Sequence, residues 1–152
     1  MSESTRKSRR QVVDSLHQVA AEMHNRMQRG DPPRMTLPVR SKRNISFDNR
    51  LGVFKYGKSK TVRDATKLGS ARQLLRTLHI TEFIEEMIDS GKSSTLREMY
   101  YISEGWGNGK FGSQNESNNL AEDLEIVTKC LREDFKLRPE EDGARIIGNI
   151  TC

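Results

Sequence analysis

Within residues 70–133 the apolar side chains recur at helical spacing in three successive runs, and each run meets its own stop signal. Leu74, Leu75, Leu78, Phe83, Ile84, Met87 and Ile88 predict a helix over residues 70–89, capped by Ser70 and closed by Gly91. Thr95-x-x-Glu98 is a capping box, in which the hydroxyl and the carboxylate each satisfy one unpaired backbone N–H, and a short helix over residues 96–103 follows from it. The glycines of "GWGNGKFG" break that helix. Leu120, Leu124, Val127 and Leu131 then predict a long helix over residues 117–133. "FKLR", the turn "PEEDG" and "ARIIGNI" read as a closing β-hairpin.

Helix, short helix, long helix and hairpin is the order of a winged helix-turn-helix, whose long helix enters a groove and whose hairpin is the wing. The expected class is α+β, mainly α, with an N-terminal helix and a small β extension. That first helix spans residues 4–29, with Val12, Leu16, Val19, Met23 and Met27 on one stripe, and stops at Gly30, Asp31, Pro32 and Pro33. Cut off by the two prolines, its stripe must bury either on this domain or on another subunit, and another subunit is the favoured expectation. "MTLPVR", "NISFD" and "LGVFKYG" are short strand candidates around a turn at Asp48, Asn49 and Arg50, and Pro38 places the first at a sheet edge. The division follows: residues 1–68 form an extension for subunit or DNA contacts, and residues 69–152 form the winged-helix domain.

Charge narrows the partner. The net charge is +5, but residues 34–76 hold 12 Lys or Arg against 2 Asp or Glu, whereas residues 77–134 hold 5 against 12. A basic segment before an acidic one fits an anionic partner near the first part, solubilisation being the plain alternative. Arg40, Lys42 and Arg43 are the candidate DNA contacts there. No run approaches the roughly 20 apolar residues of a membrane span, and the basic start has no apolar stretch behind it, so an intracellular protein is expected. Cys130 and Cys152 suggest neither a disulfide framework nor a zinc site and read as free thiols.

"TLREMYYISE" holds the one pattern with catalytic content. On a helix Leu96, Met99 and Tyr100 share the buried face, while Arg97, Tyr101 and Glu104 share another. A phenol ordinarily ionises near about pH 10 and is a poor nucleophile at neutral pH. A guanidinium one turn away favours the phenolate and stabilises charge building on a phosphoryl group. Spacing alone leaves open a nucleophile, a phosphate-positioning contact or ordinary packing.

Here the sequence resembles the A-subunit family of the type IIB topoisomerases (DNA topoisomerase VI), archaeal relatives of the meiotic double-strand-break protein. "SSTLREMYYISE" is similar to that family's Arg-x-x-Tyr-Tyr active-site helix, and the run from "QNESNNLAEDLEIV" to "ARIIGNI" to its recognition helix and wing. "MTLPVRSKRNISFD" resembles the segment preceding its catalytic domain. The likeness covers nearly all of residues 30–150 and implies a winged helix of the catabolite-activator type. It further implies that Tyr101 attacks DNA to form a 5′-phosphotyrosyl link and that Arg97 assists. Mg²⁺ would be held by a Toprim domain that is not in this chain, and ATP would act only through a partner B subunit. Implied partners are the B-type subunit, double-stranded DNA and a second A subunit in a homodimer, in the cytoplasm at the nucleoid. The chain then reads as a fragment or short form with little cleavage of its own.

Asn115, Asn118 and Asn119, at the start of the predicted recognition helix, are candidate base or sugar contacts, against N-capping and solvation. The acids Glu122, Asp123 and Glu125 read as a solvated or subunit-facing edge. "GWGNGKFG" lacks the ending of a P-loop and reads as a flexible connector, with Trp106 and Phe111 as anchors or DNA contacts. His17, His24 and His79 read as plain helix residues rather than metal ligands. The competing functional readings are a non-catalytic winged-helix DNA-binding protein and an adaptor between subunits.

Overall fold

The computed structural model describes residues 7–39 and 41–138. The order is α1 (Arg9–Gln28), β1 (Arg34–Pro38), β2 (Ile45–Asp48), β3 (Val53–Tyr56), β4 (Lys60–Asp64), α2 (Leu68–Ser90), β5 (Ser94–Thr95), α3 (Leu96–Ile102), α4 (Gln114–Thr128) and β6 (Leu137–Arg138). Short 3-10 segments occupy Lys42–Asn44 and Ser103–Gly109. The architecture is α+β, mainly α, with α2, α3 and α4 in winged-helix order and α1 and a small β segment before them.

α1 starts later than expected because Ser8 and Gln11 form a capping box, each side chain accepting the other's backbone N–H. Its stripe of Val12, Leu16, Val19 and Met23 is buried against α2 and α4, in one core with Leu74, Ile84, Met99 and Leu124. This corrects the expectation of another subunit: the proline linker turns β1 back alongside, and the chain supplies its own apolar surface. Met35 and Leu37, the inward residues of β1, join the same core.

β1 pairs antiparallel with β4, a strand absent from the sequence reading, and β2 pairs antiparallel with β3. At the β2–β3 turn the Asp48 carboxylate accepts the N–H groups of Arg50 and Leu51, and Gly52 takes a positive φ of 65°. Asn44 knots the two ribbons together. Its amide donates to the carbonyls of Val39 (2.8 Å) and Ser59 (3.0 Å), and its Oδ1 accepts from the Ser59 N–H at 3.1 Å. Only glycine fits at Gly57, where a Cβ would lie 2.6 Å from Asn44 Oδ1.

α2 begins at Leu68 rather than at Ser70, since Asp64 accepts the Thr66 N–H and turns the chain straight from β4 into the helix. Gly91 closes it in the left-handed conformation, φ 68°. α4 begins earlier than expected because Ser113 caps it, accepting from Glu116 N–H, while Ser117 lies buried inside the first turns. It also ends earlier, at Lys129 with φ 56°, leaving Leu131 outside the helix and 51% exposed. "FKLR" forms only β6, which pairs in parallel with β5. The remainder of the expected wing, "PEEDG" and "ARIIGNI", lies outside the described residues, as does Cys152.

The acidic edge expected on α4 is partly internal. Asp123 Oδ2 meets Arg63 Nη1 of β4 at 2.5 Å, with the side chains only 4% and 23% exposed. Glu125 accepts from Arg132 Nε at 2.7 Å. Burying Asp123 is tolerable because a guanidinium is delivered to it.

Two outcomes test these assignments. Leu16→Ala should lower unfolding free energy by about 2–5 kcal/mol in denaturant titrations of the chain alone, as for any core leucine; a neutral result would return α1 to a separate partner. Glu98, whose carboxylate accepts the Thr95 N–H and the Ser94 hydroxyl, has its pKa held below the ordinary value by those bonds. Its contribution is therefore complete above the ordinary carboxylate range and lost as pH falls through the lowered value. Glu98→Ala should unfold at lower temperature than wild type at neutral pH, with the gap closing as pH falls below about 4.3.

Candidate active site

α3 is held at both ends. Thr95 Oγ1 accepts the Glu98 N–H at 3.1 Å and Glu98 Oε2 accepts the Thr95 N–H at 2.9 Å, completing the capping box read from the sequence. Just beyond the other end, the buried Ser103 hydroxyl donates to the Tyr100 carbonyl at 2.6 Å. Leu96 and Met99 face the core, which sets the rotation of the helix about its axis.

That rotation separates the two phenols. Tyr100 is half-buried and packs against the core, whereas Tyr101 is 59% exposed. Their rings meet edge to face with centroids 5.7 Å apart. Arg97 is exposed one turn before Tyr101 on the same face of α3. Ile102 is exposed as well, so the outward face carries an apolar residue beside the phenol.

The glycine-rich stretch after α3 is packed rather than a flexible connector. Trp106 stacks on His79 at 5.0 Å and meets Phe111 edge-on at 5.4 Å, and Phe111 is buried. Both aromatics therefore anchor the loop. Gly109 must be glycine, because a Cβ there would collide with the His79 ring. Gly107 provides the positive φ of 60° that reverses the chain. His17 pairs with Glu85 at 2.9 Å on the helix surface.

The predicted DNA contacts are dispersed. Lys42 and Arg43 are exposed on the 3-10 turn leading into β2, and Arg40 lies outside the described residues. Asn115 and Asn119 are exposed in the first half of α4. Asn118 is half-buried, its Oδ1 accepting from Gln114 Nε2 at 3.0 Å, which ties it to the helix rather than presenting it outward.

Sequence reading passed over one feature beside the tyrosines. An open surface cavity of about 420 Å³, a shallow depression rather than an enclosed space, is bounded by Arg72, Arg76, Tyr100, Asn108, Lys110 and Phe111. Arg76 Nε donates to the Lys110 carbonyl at 2.8 Å and Nη1 lies 2.5 Å from Glu116 Oε1, so one side chain joins α2, the glycine-rich loop and the start of α4. The available signal was the i, i+4 placement of Arg72 and Arg76 on α2.

The sequence profile of the family described as Type IIB DNA topoisomerase matches residues 72–137. The A-subunit of the type 2 DNA topoisomerase 6 of Halobacterium salinarum is 43% identical over 150 residues, covering 97% of this chain and 41% of the relative. That of Archaeoglobus fulgidus is 43% identical over 139 residues, covering 91% of this chain and 39% of the relative. That of Methanosarcina barkeri is 42% identical over 150 residues, covering 97% and 41% respectively. The chain thus spans about two fifths of the length of the curated relatives it matches. With a capped helix carrying Arg97, Tyr100 and Tyr101 inside the matched segment, the chain belongs to the A-subunit family of the type IIB DNA topoisomerases.

Proposed function

We propose that this chain is the DNA-cleaving and rejoining module of a type IIB topoisomerase, with Tyr101 as its nucleophile. The observation that carries the reading is the partition of the tyrosine pair: Tyr101 stands 59% exposed on the Arg97 face while Tyr100 packs on the core. In the reaction the Tyr101 phenolic oxygen gives up its proton and forms a bond to a backbone phosphorus. The bond from phosphorus to the 3′ oxygen breaks, and that oxygen takes a proton to leave as a hydroxyl. The 5′ phosphate stays on the protein. The new ester is close in energy to the old one, so attack by the 3′ hydroxyl reseals the strand. Arg97, one turn earlier, compensates the charge gathering on the phosphoryl oxygens.

Among the described residues no three His, Cys, Asp or Glu side chains gather as a metal site. The Mg²⁺ of the family belongs, in this proposal, to a Toprim domain, and ATP to a B-type subunit that drives a dimer of A subunits over double-stranded DNA. A cytoplasmic, nucleoid-bound setting completes the reading. Among the described residues no helix is long and apolar enough to cross a membrane.

The test is covalent capture. The chain, assembled with its full-length A-subunit context, a B-type subunit, Mg²⁺, ATP and end-labelled duplex, is quenched with detergent and run on a denaturing gel. Tyr100→Phe should retain the labelled adduct and Tyr101→Phe should lose it, while Arg97→Ala should slow its formation on the order of 10²-fold. Salt-reversible binding with no adduct in any variant would leave a DNA-binding or adaptor protein instead.

A further inference from the structure

The basic cavity beside Tyr100 has a composition that its structural role does not require. Arg76 is fully employed, since Glu116 and the Lys110 carbonyl hold its guanidinium. Arg72, one turn earlier on α2, is exposed and makes no ion pair among the described residues. Lys110 is exposed too, with only the distant Glu104 carboxylate, 4.0 Å away, as a counter-charge. Two solvated cations therefore border a concave space whose inner wall is Tyr100, Phe111 and glycine backbone. Such a space suits a compact anion held from two sides.

Position decides which anion. The cavity wall includes Tyr100, whose ring centroid is 5.7 Å from that of Tyr101, and Gly112, two residues before α4. It thus lies between the proposed nucleophile and the helix that presents Asn115 and Asn119. Successive phosphates on one strand advance by about 3.4 Å along the duplex axis. A strand with its scissile phosphate at Tyr101 that runs toward Tyr100 brings its next phosphates to this cavity.

We propose that this cavity seats a backbone phosphodiester of duplex DNA adjacent to the scissile one, with Arg72 and Lys110 as its cationic contacts and Arg76 as their buried support. This deepens the reading of Tyr101 as a nucleophile toward DNA and rests on it. Arg72 and Lys110 are positioning residues: they hold the strand in register without touching the reacting phosphorus.

The experiment measures binding of the full chain to a fluorescent duplex across a salt series. Arg72→Gln with Lys110→Gln should flatten the slope of log affinity against log salt by about 0.9 for each phosphate no longer neutralised. The charge-keeping exchange Arg72→Lys with Lys110→Arg should restore the wild-type slope. Arg10→Gln with Lys92→Gln, an equal change of charge elsewhere, should leave the slope nearer to wild type. Unchanged affinity and slope in the Gln pair, or equal flattening in the control pair, would overturn the proposal. If the Gln pair proves less stable, the charge-keeping pair decides, because a flattened slope there also overturns it. Backbone amide shifts separate the anion sources: added duplex should move residues 107–110. Movement with inorganic phosphate at matched ionic strength, but none with duplex, would assign the cavity to a free anion and reject DNA. Tyr101→Phe should keep the wild-type slope, so the two readings fail separately. An adduct lost only in Tyr101→Phe beside a wild-type slope in the Gln pair rejects the cavity alone. A flattened slope with no adduct in any assembled complex rejects the nucleophile.

Discussion

The burial of Leu96 and Met99 is the constraint on which the functional reading depends. α3 is only seven residues long, too short to hold its own shape, and its rotation is set by two side chains pressed into the core and by a capping box at its first turn. With that rotation fixed, adjacent tyrosines about 100° apart on the helix acquire different surroundings. One becomes part of the packing and the other a solvent-facing phenol. The difference is produced by the neighbours of the pair and not by any chemistry of the pair itself.

The surrounding fold supports this by making the helices and the β segment a single packed body. α1 closes over α2 and α4, and β1 adds Met35 and Leu37 to the same interior. Arg63 crosses from β4 to Asp123 on α4, so the basic ribbon is tied by charge to that helix. The β2–β3 hairpin projects from this body, its Phe47 and Phe54 pairing edge to face at 5.1 Å while remaining 51% and 73% exposed. The basic residues Lys42 and Arg43 sit at its base, on a rigid turn next to the Asn44 knot.

What was legible in the sequence is what depends on nearby residues. The capping box at Thr95 and Glu98, the stop at Gly91 and the outward turn of Tyr101 all follow from spacings of three to seven residues. β4 was invisible because Lys60, Thr61, Val62, Arg63 and Asp64 show no apolar alternation, and their strand is held by backbone pairing to β1. The ends of α4 were misplaced because Ser113 caps it, and because Lys129 takes a left-handed conformation that lysine does not advertise. Asp123 looked like surface charge since its partner is 60 residues away. The cavity beside Tyr100 was hidden for the same reason, being assembled from α2 and the loop after α3.

The parallel pairing of β5 with β6 has a mechanical consequence. Ser94 and Thr95 are bonded in register to Leu137 and Arg138, and Thr95 is also the first anchor of α3. Residues 137–138, which follow α4, are thereby clamped to the root of the tyrosine's helix. Residues 137–138 and the first turn of the helix that carries Tyr101 therefore share one anchor, and neither can shift without straining the same two backbone rungs.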